Sequence, residues 1–310
     1  GGGATGTSVA LDCASRGLKC ALVERYDFAS GTSSRSTKLL HGGVRYLEQA
    51  VYTLDPSMLM LVWEALRERG HMLHSTPFMT RGLPIVMPLY SIFDTIQMSV
   101  GVTAYEVLGR MATLFDPGLP NCYLISPSNA VFNFPLLKAE GLRSALLYYD
   151  GQQNDARVNM SIAMTAATPN YVDGWEAAAI CNHTKAEKIL LNSEGKPRGA
   201  LVRDELSGDE FEIRSKVVMN CGGPFSDEVR KKVEGQESPR EYIVPAMGAH
   251  VTLPRAYSAP HVGFMIPKTS DGRVLFYLPW EGNVVAGTTD LKQPLTDWPS
   301  PTAEEVYHFF

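Results

Sequence analysis

The stretch GGGATGTSVALDCASRGLKCALVE at residues 1–24 constrains this chain more than any other feature. Gly1, Gly3 and Gly6 satisfy GxGxxG. In that pattern the first glycine permits a tight turn, the second lets backbone approach a pyrophosphate, and the third lets a helix pack closely on its strand. Val9, Ala10, Cys13 and Ala14 recur at helical spacing, so a helix is predicted over residues 4–16, with Gly17 as its left-handed stop. KCALVE then reads as a short buried strand ending in Glu24, 18 residues past Gly6, where an acid can accept hydrogen bonds from ribose hydroxyls. The bland alternative is a glycine-rich turn beside a surface glutamate. Turn, helix, strand and acid together favour dinucleotide binding, without separating a flavin from a nicotinamide.

The segment that follows bears on that choice. RYDFASGTSSRSTKLLHGGVRY, residues 25–46, is long and rich in Gly, Ser and Thr. A loop of this length in a packed protein is usually functional, and its hydroxyls and Gly-Gly pair suit a long embedded cofactor, favouring a flavin. Arg25 can be read as a contact for a 2′-phosphate or as an ordinary solvated charge.

Composition closes other routes. The 310 residues carry a net charge of −5, with pI near 5.8, so no overall charge calls for nucleic acid. Five cysteines form no CxxC pair and show no metal-ligand spacing, which reads as reduced thiols and no metal site. The apolar stretch at 83–115 is broken by Asp94, Gln97, Glu106 and Arg110, short of the ~18 uninterrupted residues of a spanning helix. With no strand ahead of Gly1, the chain reads as an internal piece of a longer protein.

Further along, PSMLMLVWEALRERGHMLH (56–74) is an expected amphipathic helix, 83–115 a mixture of helix and turn, and 135–149 and 155–167 helices. Short strands are expected across 185–220, with turns at NSEGK and SGD, and an antiparallel sheet over 243–290. The expected organisation is a first part of a nucleotide-binding domain at 1–80, a helical apolar cap at 81–150, its second part at 151–235, and a substrate-domain sheet at 236–310.

GGGATG, SSRSTKLLHGGVRYLE, YYDGQQNDAR, NCGGPFSD, GAHVTL and GTTD, in this order, resemble the FAD-dependent glycerol-3-phosphate dehydrogenases, and YYDGQQNDARVN resembles the mitochondrial members most. The resemblance implies an α/β fold: a Rossmann-like FAD-binding domain of the glutathione-reductase type interleaved with a substrate domain on an antiparallel sheet. It implies oxidation of sn-glycerol 3-phosphate to dihydroxyacetone phosphate, with hydride passing to FAD and electrons to a membrane quinone, in a peripheral protein of the mitochondrial inner membrane. The departures are NCGGP where NATGP is usual, and the family's first strand and second substrate arginine, which fall outside this sequence.

By the same resemblance, Gly1, Gly3, Gly6, Glu24, Thr32, Ser33, Lys38, Leu39, Leu40, His41, Gly42, Gly43, Ala186, Gly222, Gly223 and Pro224 are the expected cofactor contacts. Arg45 and Tyr46 are expected at the substrate phosphate, where a guanidinium fork matches the geometry of the oxygens. His250 is the expected base, with His41 its rival, and Thr288, Thr289 and Asp290 are expected on the substrate side. Each also has a plainer reading as a core, strand or turn residue. An oxidase using oxygen and a non-catalytic nucleotide-binding module remain the alternatives, and a homodimer stays open. Met87, Leu89, Tyr90, Ile92 and Phe93 could meet a membrane interface, although a buried helical pair would give the same pattern.

Overall fold

A computed structural model describes residues 1–135, 137–233, 240–267, 269 and 274–307, the side chains of Arg45, Glu48, Gln49 and Val51 excepted. The chain divides into two units, each assembled from three stretches. The first comprises Gly1–Ser36, Asn154–Ala246 and Lys292–Pro299; the second comprises Thr37–Gln153, Met247–Leu291 and Ser300–Phe310.

The first unit opens with the glycine turn and α1 (Ala4–Ser15), then β1 (Ala21–Val23). After a long excursion the chain returns with α6 (Asp155–Ala167) and β6 (Ala179–Cys181), which pairs parallel to β1. Asn154 starts α6 by accepting the Arg157 N–H on its side chain. Ala10, Leu22, Ala166 and Ala178 form the buried core here, and small residues let α1 and α6 pack closely. An antiparallel sheet, β7 (Thr184–Leu191), β8 (Pro197–Asp204) and β9 (Glu210–Arg214), and the short α7 (Ser226–Lys231) complete the unit.

The second unit is built on an eight-stranded mixed sheet. Its strands are β2 (Leu39–Leu40), β3 (Thr80–Leu89), β4 (Tyr123–Ile125), β5 (Ser144–Gln153), β11 (His250–Pro254), β12 (Gly263–Ile266), β13 (Leu275–Trp280) and β14 (Asn283–Gly287). The order is β11-β14-β13-β12-β3-β5-β2, with β4 also on β5; β12 and β3 run parallel and the other pairs antiparallel. Two-residue strands β10 (Ala246–Met247) and β15 (Leu291–Lys292) lie where the chain passes between units.

Helices α2 (Val44–Thr53), α3 (Pro56–Ser75), α4 (Ile92–Ala112), α5 (Pro127–Asn133) and α8 (Ala303–Tyr307) join this sheet. Asp55 caps α3 by accepting the Ser57 N–H, and Pro56 occupies its first turn, where a missing N–H costs nothing. Leu47, Val62, Leu66, Tyr105 and Ala112 hold α2, α3 and α4 together.

The structure redraws parts of the sequence reading. Residues 37–80 and 81–150 fall in one unit, because β2 and β3 both pair with β5; the boundaries at 80/81 and 150/151 thus move to 36/37 and 153/154. The 235/236 boundary lies outside the described residues. The helix expected over 135–149 ends as strand β5, and 83–115 begins with strand residues, so a cap of helices alone is not what forms there. KVVMN at 216–220 makes no strand, and Val217 and Met219 are exposed. Met87 and Leu89 are buried in the sheet rather than available to an interface.

Leu146 sits in β5 at 1 % exposure among Leu83, Ile85, Met87 and Leu278. Leu146→Ala should therefore destabilise the protein by about 2–5 kcal/mol, the cost of an unfilled cavity. A urea titration checks this, with the midpoint falling in proportion.

Candidate functional site

In the first unit the glycine turn is held by its own surroundings. A Cβ on Gly1 would overlap the carbonyl of Cys221, one on Gly6 would overlap the carbonyl of Gly1, and one on Gly3 would come 2.9 Å from Ser33 Oγ. Gly1 thus lies against the NCGGP turn, whose Gly223, Pro224 and Phe225 form a single 3₁₀ turn after Gly222. Ser33, in the 3₁₀ turn Thr32–Ser34, accepts the Ala4 N–H at 2.8 Å. The N–H groups of Thr5 and Gly6 have no partner among the described residues, so the start of α1 keeps donors and the positive end of its dipole.

Glu24 follows β1 and turns back to this spot. Its Oε2 accepts the Gly2 N–H at 2.6 Å and its Oε1 accepts the Tyr26 N–H at 2.9 Å, leaving each oxygen further acceptor capacity. Arg25 pairs with Asp297 and lies over the rings of Tyr26 and Phe225, so its sequence reading as a free solvated charge gives way to a packed ion pair. The carbonyl of Ala186, on β7, accepts from Lys232 Nζ at 2.7 Å.

The second unit gathers the HGG loop, the His250 strand and the GTTD turn. His41 Nδ1 is 2.7 Å from Asp150 Oδ2. Arg69 Nη1 donates to Asp150 Oδ1 at 2.6 Å, and Tyr105 OH donates to the same oxygen at 3.0 Å. The Tyr105 oxygen in turn accepts the Gly42 N–H at 2.7 Å and Arg69 Nη1 at 3.0 Å. Burial alone would raise the Asp150 carboxyl, yet its bonded neighbours His41 and Arg69 outweigh this and hold it below its ordinary range. Burial pushes the Tyr105 hydroxyl well up, and the Asp150 charge adds to it, so the group stays protonated.

The two loop glycines have internal reasons for being glycine. A Cβ on Gly42 would overlap Leu66 and come 2.6 Å from Tyr105 OH, while Gly43 has φ of 75° as the N-cap of α2. Tyr46, one turn into α2, is exposed, and the side chain of Arg45 lies outside the described residues. Leu39 and Leu40 form β2 on β5, and Lys38 Nζ stands 6.0 Å from the centre of the Trp280 ring.

His250 begins β11 opposite Gly287, and its Nε2 lies 3.0 Å from Thr37 Oγ1. Thr289 is held by internal hydrogen bonds. It is buried, its hydroxyl donates to Glu305 Oε1 at 2.8 Å and accepts the Ala249 N–H at 2.8 Å, so its hydrogen-bonding capacity serves the fold. Thr288 donates to the Thr289 carbonyl and Asp290 is exposed.

Sequence reasoning assigned no role to Asp150, Arg69, Tyr105 or Glu305. The available signal for Asp150 was an acid closing the apolar run ALLYY, and for Glu305 the pattern TAEE, a capping box in which Thr302 and Glu305 bond reciprocally.

A family model described as FAD dependent oxidoreductase matches residues 1–310. The chain belongs to that family. Among curated relatives, this oxidoreductase is 45 % identical over 306 residues to a protein of Caenorhabditis elegans named "Probable glycerol-3-phosphate dehydrogenase, mitochondrial", covering 99 % of the chain and 41 % of that relative. It is 44 % identical over 311 residues to "Glycerol-3-phosphate dehydrogenase, mitochondrial" of Mus musculus, with the same coverage on both sides. The chain thus spans less than half the length of these relatives. Among solved structures, a glycerol-3-phosphate dehydrogenase of Bacillus halodurans complexed with FAD superposes with a TM-score of 0.72 at 27 % identity, covering 99 % of this chain and 50 % of that one.

FAD is the cofactor of this oxidoreductase family, and the first unit fits it. Three glycines stand where a side chain would fill the cradle, a helix start retains donors for phosphate oxygens, and Glu24 keeps acceptor capacity for a ribose. Since a methyl group at position 6 must collide with backbone, Gly6→Ala should lower flavin content far more than it lowers helicity. The ratio of flavin to protein absorbance, read beside far-UV circular dichroism, checks this.

Proposed function

We propose that this chain is the flavin- and substrate-binding portion of an enzyme that oxidises sn-glycerol 3-phosphate to dihydroxyacetone phosphate and passes the electrons to a membrane quinone at the mitochondrial inner membrane. The observation that carries the reading is identity of 43–45 % across 99 % of the chain to relatives named as mitochondrial glycerol-3-phosphate dehydrogenases.

The reaction removes a hydride from C2 and a proton from the C2 hydroxyl. FAD, when bound, supplies the hydride acceptor. The chain must supply an anion clamp and a proton acceptor. Arg45 is the clamp, because a planar fork can hold two phosphate oxygens at once, and the neighbouring Tyr46 adds a hydroxyl donor. The proton acceptor is an imidazole of the second unit, either His250, bonded to Thr37, or His41, bonded to Asp150. Imidazole titrates near neutrality and suits that task.

The quinone reading draws on α4. Ile92, Ile96, Val100, Val107 and Met111 are all exposed at four- and seven-residue spacings, so they form one apolar stripe on a 21-residue helix. No helix among the described residues is long and apolar enough to cross a membrane. A stripe of this kind suits a helix lying in the interface, next to a lipid-soluble acceptor.

Two outcomes are expected in the full-length protein. First, anaerobic mixing with glycerol 3-phosphate should bleach the flavin band, and Arg45→Lys should weaken that oxidation by about 1–3 kcal/mol while flavin content stays level, because the charge survives and the fork does not. Loss of flavin and activity together would give Arg45 a loop-holding role instead. Secondly, Ile96→Asp with Val100→Asp should reduce co-sedimentation with lipid vesicles and slow quinone reduction, leaving reduction of the flavin by substrate intact.

A further inference from the structure

Asp150 is a carboxylate with zero exposure and three partners from three different elements. A buried charge needs such partners simply to remain buried. The sidedness of the arrangement goes further than that need. Ionised Asp150 can only accept hydrogen bonds, so the His41 nitrogen facing it, Nδ1, must carry its hydrogen. Nε2 is then the atom with the lone pair in the neutral ring. The His41 side chain retains 24 % exposure, and Nε2 has no hydrogen bond among the described residues.

The same carboxylate is tied to the backbone of the loop that carries His41. Tyr105 donates to Asp150 and accepts from Gly42 N–H, and Arg69 bonds both Asp150 and the Tyr105 oxygen. A side chain on Gly42 would collide with Leu66 and Tyr105. Ring tautomer and loop position therefore answer to one buried group.

We propose that Asp150 is a positioning residue that holds His41 as the Nδ1–H tautomer, so that His41 Nε2 takes the proton of the substrate C2 hydroxyl, with Arg69 and Tyr105 fixing the carboxylate and the Gly42 backbone together. The inference rests on the glycerol 3-phosphate reading given above. In the step, the O–H bond breaks and an Nε2–H bond forms, while the C2–H bond breaks and its electron pair leaves with hydrogen as hydride, for which FAD, when bound, would be the acceptor. The substrate loses two electrons and the carbonyl forms.

The test uses the full-length flavoprotein and Asp150→Asn. An amide can turn its NH₂ toward Nδ1 and so favour the opposite tautomer, and it removes the negative charge that favours imidazolium. The turnover per bound flavin should fall about 100-fold or more, as for a displaced general base, with a smaller change in KM. A purely structural role predicts fewer folded, flavin-loaded molecules with unchanged turnover per flavin, and that result overturns the proposal.

Should the variant fail to fold, ¹⁵N-histidine NMR of the wild-type protein decides, with His41→Gln assigning the signal. A protonated Nδ1 beside an unprotonated Nε2 supports the proposal, and the reverse tautomer overturns it. Failure of glycerol 3-phosphate to reduce the wild-type flavin overturns the substrate reading and the proton step named here, while the tautomer result stands apart from it.

Discussion

An ionised carboxylate held away from water must be surrounded by donors before the strands around it can close. Asp150 meets that requirement with the loop after β2, with α3 and with α4. Removing one partner of such a pair leaves the other charge buried and alone, at a cost of about 3–5 kcal/mol. The polar cluster therefore fixes which face of α3 and which face of α4 meet the sheet. Apolar packing of Leu66 with Tyr105 then follows from the same orientation. If His41 takes the substrate proton as proposed, stability and chemistry share these atoms, and a substitution here cannot be assigned to either by activity alone.

The first unit depends on a different constraint, the exclusion of side chains. Its glycine turn, the NCGGP turn and Ser33 approach so closely that backbone atoms occupy the space of a methyl group. The Thr5 and Gly6 N–H groups at the start of α1 have no partner among the described residues. One unit thus works by leaving room and donors, the other by saturating a buried charge.

Much of the first unit was legible from the sequence because its signals are local: glycines, a helical period, a strand and an acid at fixed spacing. The α3 helix was legible for the same reason, with Pro56 marking its start. Strand β3 was hidden by Pro84 and Pro88, residues that ordinarily argue against an interior strand. They are tolerated because β12 pairs with β3 only at Ile85 and Val86, between them. β5 was hidden by its continuous apolar run, which periodicity cannot tell from a buried helix. The cluster around Asp150 had no local signature, since Arg69 and Tyr105 lie 81 and 45 positions from it. His41 and His250 could be named as residues, but their partners come only from tertiary packing. The bond from Thr289 to Glu305 likewise comes from farther along the chain and has no signature in the GTTD turn.

The interleaving of the two units also orders the birth of the protein. Strand β3 appears early in synthesis, but its parallel neighbour β12 lies about 180 residues later, and the β11–β14 ladder is later still. The first unit begins at Gly1 and draws its last stretch from Lys292–Pro299. The eight-stranded sheet therefore stays incomplete until β12–β14 are made, and the face of β3 that meets Met265 and Leu278 must wait while the ribosome continues. Contacts this distant in sequence slow folding and lengthen the exposure of sticky surface. A cell making this polypeptide should accordingly keep β3 in the hands of chaperones until β14 has been made.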